Sequence, residues 1–164
     1  MSEVTPYVRE GGRVVFRPRS IRLPHIVTVH RLWVRSTDMD ADGIVNNARY
    51  FEYFEQVRLE HLAAIGVFRR PRPEGQPARA FTIAETTCRY LAPLRHRDVV
   101  VGEAWTSEIR NRSFSLAFRL TRESDGVVVA EGGSALVWLD GDGRPTLLPD
   151  GVRAALEGSM PSPG

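Results

Sequence analysis

The sequence contains no lysine, so all 22 of its basic residues are arginines. They are almost balanced by 20 acidic residues, which leaves a net charge of +2. A balance this close gives the whole molecule little attraction to nucleic acid or to a membrane surface. The arginines are also scattered among the acids, without the interleaving of aromatic and basic residues typical of nucleic-acid-binding proteins. We therefore expect neither nucleic acid nor a membrane as a partner.

Cysteine and long apolar runs are equally scarce. Cys88 is the single cysteine, which excludes an intramolecular disulfide and fits a reducing compartment. Its place in a strand-like run favours a small buried side chain over a nucleophile. No segment approaches the roughly 20 apolar residues that span a bilayer, and the N-terminus has no apolar signal core. We therefore expect a cytoplasmic protein, and its 164 residues, 42% of them hydrophobic, suffice for one domain with a proper core.

The spacing of apolar residues changes to a helical period in one part of the chain. Residues 25–36 are rich in β-branched and aromatic side chains, which predicts a strand. Residues 47–65 carry apolar side chains on one helical face, which predicts a long helix. Asn46 or Asn47 would cap its start, and Gly66 would form a left-handed cap at its end. The residues of the predicted apolar face are Tyr50, Phe51, Phe54, Val57, Leu62 and Ile65.

The second half of the chain has the pattern of strands. It follows a loop at 67–80 that contains three prolines, a glycine and four arginines. Alternation of apolar and polar residues predicts strands at 81–91, 98–109, 113–122 and 127–139. Because the breaks between the strands are short, we expect antiparallel hairpins, followed by a short helix at 150–157. The sum is an α+β domain over 25–158, in which a curved antiparallel sheet of about five strands wraps around one long helix. Residues 1–24 form a predicted tail or docking arm, and residues 159–164 a predicted tail.

Residues 38–50, DMDADGIVNNARY, connect the first predicted strand to the long helix. Their carboxylates therefore lie near the first turn of a helix, where unpaired backbone N–H groups collect. A carboxylate that attacks a carbonyl or activates water, beside donors that hold an oxyanion, is what hydrolysis of an ester or thioester requires. The segment therefore predicts an enzyme. In an extended segment Asp38 and Asp40 would point the same way, and their repulsion would raise the pKa of one of them.

Two other interpretations of this segment do not involve catalysis. Asp38, Asp40, Asp42 and Gly43 match the first half of a calcium-binding loop. However, Arg49 occupies the position of the bidentate glutamate, and a strand instead of a helix precedes the loop. Acidic residues before a helix are also ordinary caps and turn formers, as Asp42 and Gly43 are in part. The second interpretation therefore remains open.

The stretch DMDADGIVNNARYFEYFEQVRLEHL resembles the signature of hotdog-fold acyl-CoA thioesterases of the 4-hydroxybenzoyl-CoA thioesterase superfamily. These proteins have a D-x-D-x-x-G-[HI]-V turn, followed by a long helix with an aromatic residue near its start. The resemblance continues through CRYLAPLRHRDVVV, a strand that ends in proline and resumes at an aspartate, and IRNRSFSLAF, an arginine-rich hairpin. It covers residues 26 to about 140 and implies a hotdog fold, with the combination more specific than the turn alone.

The resemblance also implies which residues form the site. Asp40 would be the catalytic nucleophile or general base, the backbone N–H of Asn47 the oxyanion donor, and Gly43 the residue that lets the chain turn tightly beside the substrate. The residues that would contact the substrate and CoA are Asn46, Tyr50, Arg110 and Arg112. The two arginines suit the CoA phosphates, although exposed arginines in a turn are commonly just solvated. Related enzymes often have histidine where this chain has Ile44 or Asn47, so no Asp–His pair is available in the turn.

The predicted function is hydrolysis of an acyl-CoA thioester to the free acid and CoA, without a cofactor. By the resemblance, the smallest active unit is a homodimer whose sheets join edge to edge, so that each site is built from both subunits, and homotetramers are common. A protein that binds acyl-CoA or acyl carrier without hydrolysis, and a hotdog dehydratase or hydratase, remain alternatives. The four histidines lack metal-ligand spacing, so we expect no metal site, and we expect His61 to be a packed or capping residue. The acyl group, and the choice between CoA and acyl carrier protein, stay open.

Overall fold

The computed structural model describes residues 7–10, 13–16, 28–67, 74 and 80–161. The strands are β1 Tyr7–Glu10, β2 Arg13–Phe16, β3 Thr28–Trp33, β4 Phe81–Tyr90, β5 Val99–Ile109, β6 Ser113–Arg122 and β7 Val128–Trp138. The helices are α1 Arg49–Ala64 and α2 Asp150–Glu157, and a short 3-10 turn, Ser36–Asp38, precedes α1. None of the helices in these described ranges is long and apolar enough to cross a membrane.

Strands β3 to β7 form one sheet in the order β3-β5-β6-β7-β4, with every neighbouring pair antiparallel. Helix α1 lies against one face of this sheet and contacts β3, β4, β5 and β6. Three irregularities, between Ile83 and Glu85 in β4, between Thr106 and Glu108 in β5 and at Leu120 and Thr121 in the pairing of β6 with β7, add local twist to the ladder. A sheet of five antiparallel strands around one long helix is the hotdog arrangement, so the predicted α+β fold class is confirmed.

The predicted arm at 1–24 contains two short strands. β1 and β2 pair in antiparallel register from Tyr7 opposite Phe16 to Glu10 opposite Arg13, and they form a two-stranded sheet of their own. No periodicity in the sequence indicates these strands, and the prediction missed them. The rest of the arm, like most of the predicted loop at 67–80, lies outside the described residues.

Helix α1 begins two residues later than predicted and has 16 residues, which gives a length of roughly 24 Å. Gly66 follows it with a φ of 79°, as expected for a left-handed cap. The buried residues of α1 are Tyr50, Tyr53, Phe54, Val57, Arg58, His61 and Leu62. Phe51 is 39% exposed, so its place on the predicted apolar face is wrong. Tyr53, Arg58 and His61 are also buried, although they do not belong to the predicted apolar face. The curved sheet covers a wider part of the helix surface than this one apolar face.

Two glycines of the sheet let α1 approach it closely. A Cβ at Gly132 would lie 2.6 Å from the ring of Phe54 and would also overlap the backbone oxygen of Thr87 on β4. A Cβ at Gly102 on β5 would likewise overlap the side chain of Val57. The ring of Phe54 can therefore lie flat on the sheet, stacked at 5.0 Å on Phe118 of β6. The missing side chains of the glycines are what allow the large residues of α1 to fill the core.

His61 lies at the far end of α1, fully buried in a cluster of polar side chains. Its Nδ1 is 2.8 Å from the Thr28 hydroxyl, and its Nε2 is 3.3 Å from the Ser159 hydroxyl, which in turn bonds the Thr106 hydroxyl. Ser159 has no exposed surface, although it belongs to the predicted tail. Its contacts extend the packed domain to residue 159. The prediction that His61 is a packed residue is confirmed.

Burial lowers the pKa of His61 to about 4, compared with 6.5 for an exposed histidine. The folded state therefore holds this ring neutral in a pH range where the unfolded chain protonates it. We expect its contribution to stability to be complete above pH 6.5 and to be lost as the pH falls towards 4, by up to about 3 kcal/mol.

Urea unfolding at several pH values between 7 and 4, for the protein and for His61→Asn, measures this contribution. Carboxylates titrate in both proteins, so the difference between the two curves isolates the histidine. The free energy of unfolding of the variant should depend less on pH in this range. Parallel curves would show that His61 is not the group that makes the fold sensitive to acid.

Candidate active site

Residues 39–48 form a compact loop between the 3-10 turn and α1. Met39 and Val45 form an isolated antiparallel bridge at the base of the loop. The Asp40 N–H donates across the loop to the Ile44 carbonyl oxygen at 2.8 Å. The Gly43 N–H donates back to the Asp40 carbonyl oxygen at 3.3 Å, with a φ of 77°. A residue with a Cβ would be strained at this φ, so position 43 has the glycine that the tight turn requires.

Asp40 is half-buried, and its two carboxylate oxygens have different surroundings. Oδ1 accepts the N–H of Asp42 at 2.8 Å and, at a longer distance of 3.4 Å, the N–H of Ile44. Oδ2 accepts no hydrogen bond from any residue that the structure describes. The first oxygen therefore orients the side chain, and the second is the one available for chemistry.

The same turn occurs a second time at residues 140–144. Asp140 Oδ1 accepts the N–H of Asp142 at 2.9 Å and the N–H of Arg144 at 3.0 Å, and Gly143 has a φ of 78°. The D-x-D-G sequence by itself therefore forms this hydrogen-bonded turn, as the turn-former interpretation holds. A catalytic role for Asp40 has to rest on its surroundings and not on the turn.

Asp38 lies in the 3-10 turn and has no exposed surface. Its carboxylate accepts the Arg35 Nη2 at 2.9 Å, the Arg35 backbone N–H at 2.9 Å and the Tyr53 hydroxyl at 2.8 Å. Burial alone would raise the pKa of Asp38, but the hydrogen bonds from Arg35 and Tyr53 outweigh it and lower the pKa. The prediction that two aspartates repel each other and one pKa rises is therefore wrong for Asp38, because its partner is an arginine.

The start of α1 presents a free backbone donor. Asn46 forms a turn just before the helix, since its Oδ1 accepts the Ala48 N–H at 2.9 Å and its carbonyl oxygen accepts the Arg49 N–H at 2.9 Å. The N-cap residue of α1 is Ala48, not the predicted Asn46 or Asn47, and no side chain of a described residue caps the helix. The side-chain oxygen of Asn46 is thereby used for this turn, although Asn46 is also a predicted substrate contact. The Asn47 N–H donates to no group within the described ranges. Because it lies at the positive end of the helix dipole, it suits a developing negative charge.

Tyr90, the last residue of β4, lies at this site but is absent from the residues predicted from the sequence. Its hydroxyl donates to the Asn47 carbonyl oxygen at 2.9 Å, and its ring meets the buried Tyr50 edge-on at 5.0 Å. Burial raises the pKa of Tyr50 to about 12, so that hydroxyl stays protonated. Tyr50 thus packs behind the helix start, whereas Tyr90 remains 42% exposed beside it. The sequence does indicate Tyr90 by its position, because it ends a predicted strand and shortly precedes the proline of CRYLAP, where a chain leaves the sheet.

Arg110 and Arg112 lie at the other end of the sheet from Asp40. β5 starts at Val99, opposite the end of β3, and runs for 11 residues, roughly 33 Å, before the hairpin that carries the two arginines. Arg110 Nε is 2.9 Å from Glu108 Oε1, whereas the Arg112 side chain bonds no described residue. Within one protomer the structure therefore does not bring the predicted phosphate contacts to the predicted catalytic residue.

Cys88 lies on β4 two residues before Tyr90 and is half-buried against the core. Burial raises the pKa of its thiol, which disfavours the reactive thiolate. This agrees with the prediction of a small buried side chain. The described part of the chain contains no group of three or more His, Cys, Asp or Glu residues that could hold a metal ion.

The fold agrees with the comparison with known proteins. A family model described as the thioesterase-like superfamily matches residues 34–156, and the chain belongs to this superfamily. The matched range includes the loop at 39–48, all of α1 and the four long strands β4 to β7.

Individual relatives carry thioesterase names. The chain is 32% identical over 126 residues to the chloroplastic acyl-acyl carrier protein thioesterase ATL3 of Arabidopsis thaliana, a match that covers 75% of this chain and 64% of the relative. It is 30% identical to the acyl-CoA thioesterase YbgC of Haemophilus influenzae, covering 72% and 85%. A Thermus thermophilus thioesterase, solved with coenzyme A and zinc, superposes with a TM-score of 0.66 at 31% identity, covering 82% and 92%. The chain thus spans less than two thirds of the Arabidopsis relative.

Proposed function

We propose that this protein is an acyl-CoA thioesterase, which hydrolyses an acyl-CoA thioester to the free acid and CoA. The observation that carries the proposal is that one short loop holds two groups without partners, Asp40 Oδ2 and the Asn47 N–H, among the residues described. A nucleophile or base beside a preorganised oxyanion donor is the minimum that thioester hydrolysis needs. Membership of a thioesterase-like superfamily supports the same reaction.

The reaction would proceed at the carbonyl carbon of the thioester. Asp40 Oδ2 either attacks this carbon, which gives an anhydride that water then hydrolyses, or takes a proton from a water molecule that attacks it. In both routes the carbonyl oxygen gains negative charge, and the Asn47 N–H stabilises it. A single donor of this kind contributes about 10² to 10³ in rate. The C–S bond then breaks, and CoA leaves as a thiolate that takes a proton from solvent.

We further propose that the active unit is a homodimer joined through β4. β4 is an edge strand of the sheet, and its residues Ile83 and Tyr90 are 37% and 42% exposed. If two copies of β4 pair in antiparallel orientation about a two-fold axis, the hairpin end of one subunit reaches the Asp40 end of the other. This arrangement would place Arg110 and Arg112 of one subunit where they could bind the phosphates of CoA held by its partner.

The proposed carrier of the acyl group is CoA, and acyl carrier protein is the alternative. The Haemophilus relative is named for acyl-CoA and the Thermus protein was solved with CoA, whereas the Arabidopsis relative is named for acyl carrier protein. In both carriers the acyl group is a thioester, so the proposed chemistry is the same and only the surface that meets the carrier differs.

A thiol-release assay tests the proposed function. Aromatic, short-chain and medium-chain acyl groups are offered both as CoA and as acyl carrier protein thioesters, to the monomer and dimer fractions from gel filtration. We expect saturable release of CoA from at least one acyl-CoA, and only in the dimer fraction. Saturable binding without thiol release would indicate a binding protein. Conversion of an unsaturated acyl-CoA without thiol release would indicate a hydratase.

A further inference from the structure

A network of side chains joins the two ends of the loop at 39–48. Asp38, immediately before the loop, accepts the Arg35 side chain through Nε at 3.2 Å and Nη2 at 2.9 Å, and the Tyr53 hydroxyl at 2.8 Å. Tyr53 lies on α1, five residues after the loop ends. The buried carboxylate therefore connects the segment that enters the loop directly to the helix that leaves it.

The network continues along the first turn of α1. Arg35 Nη2 lies 3.4 Å from Glu52 Oε2, and Arg49 Nη1 lies 2.5 Å from Glu52 Oε1. The backbone adds a further link, because the Asn46 N–H donates to the Asp38 carbonyl oxygen at 2.9 Å. The loop that holds Asp40 and Asn47 is thus closed at its base by both side-chain and backbone bonds.

The environment of Asp38 excludes it as the reacting carboxylate. Both of its oxygens accept hydrogen bonds, and neither reaches solvent. Removing a carboxylate from water is costly unless hydrogen bonds replace its hydration, which the bonds from Arg35 and Tyr53 do here. The lowered pKa of Asp38 agrees with an ionised group whose role is to hold its partners.

We propose that Asp38 is a positioning residue, which through Arg35 and Tyr53 holds Asp40 Oδ2 and the Asn47 N–H at the separation that the reaction needs. This inference rests on the proposed function. A reacting oxygen and an oxyanion donor must both meet one carbonyl group, so a small increase in their separation reduces turnover strongly. Substrate binding depends on other surfaces, and its strength changes less.

The variant Tyr53→Phe tests the proposal, because it removes one hydroxyl group and keeps the packed ring. We expect kcat to fall by about 10-fold or more, with KM changed less than about two-fold. Asp38→Asn should lower kcat further, and the double variant should lose less than the product of the two single effects, because both act through one bond. Hydrogen exchange of the loop amides at 40, 43, 45 and 46 should become faster in both single variants.

The control Ser159→Ala removes a buried hydroxyl group at the opposite end of α1 and should leave kcat and loop exchange unchanged. If the wild type is active and Tyr53→Phe keeps its kcat, the proposal is overturned whatever the exchange rates. If the wild type hydrolyses no thioester, the proposed function fails instead. Hydrogen exchange of the loop amides then tests whether Asp38 and Tyr53 hold the loop in place. Loop amides that exchange as slowly in Tyr53→Phe as in the wild type would overturn the positioning role in that case as well.

Discussion

Replacing Asp40 with asparagine is expected to lower thioester turnover by about 10² to 10⁴-fold while the protein stays folded. Asparagine keeps the Oδ1 atom that accepts the N–H groups of Asp42 and Ile44, so the turn survives the change. What is lost is the negative charge at the Oδ2 position, where an amide nitrogen can neither attack a thioester nor take a proton from water. Single-turnover release of CoA, with the best substrate of the thiol-release assay, measures the effect.

The chain supplies a matched control in its second copy of the turn. Asp140→Asn makes the same chemical change in a turn with the same hydrogen bonds, and Gly143 has the same left-handed φ as Gly43. Both variants should therefore alter the free energy of unfolding by similar small amounts. Only Asp40→Asn should alter turnover, so the difference between the two reports chemistry and not the stability of the turn.

Two results would count against the assignment of Asp40. If Asp40→Asn retains the turnover of the wild type, the oxygen at Oδ2 takes no part in the reaction. If both variants lose turnover equally, the loss comes from the turn. The site would then have to be sought elsewhere in the chain.

The sequence predicted the helix, the long strands and the turn before α1, because each of these is determined by residues close together in the chain. The period of α1, the alternation along β6 and the short breaks between strands predicted a helix on an antiparallel sheet, since burial of one face leaves a regular pattern. The D-x-D-G turn followed from the same kind of local rule. The two strands β1 and β2, of four residues each, were missed because such short segments show too few alternations to be recognised.

The arrangement of the site depends on residues that are distant in sequence, and local patterns carry no information about such contacts. Asp38 and Asp40 are equivalent by pattern, yet Asp38 is fully buried and Asp40 only half-buried, because Tyr53 and Arg35 hold the first carboxylate. Tyr90 contacts Asn47 although the two residues are 43 positions apart in the sequence. The resemblance implied hairpin arginines at a site shared by two subunits, and the length of β5, which separates them from Asp40 within one protomer, leaves that role as a proposal for the dimer.

Replacing Gly132 with alanine is expected to destabilise the protein by about 3 kcal/mol, a large fraction of the roughly 5 to 15 kcal/mol that hold a typical domain folded. The added Cβ would overlap the backbone oxygen of Thr87, and it would lie 2.6 and 2.8 Å from two ring atoms of Phe54. The oxygen belongs to the neighbouring strand and the ring is stacked on Phe118, so neither can withdraw without moving β4 or α1. Urea unfolding measures the loss.

Gly141→Ala is the control for Gly132→Ala, because a Cβ at Gly141 meets no atom within 4 Å and should change stability little. Adding Phe54→Leu to Gly132→Ala tests which contact matters. A smaller side chain relieves the overlap with the ring but not the overlap with Thr87, so we expect partial recovery, reduced further by the lost stacking on Phe118. If Gly132→Ala unfolds at the urea concentration of the wild type, α1 does not lie as close to β7 as the structure has it. The start of α1, and with it the Asn47 N–H, would then be displaced from the position on which the proposed reaction depends.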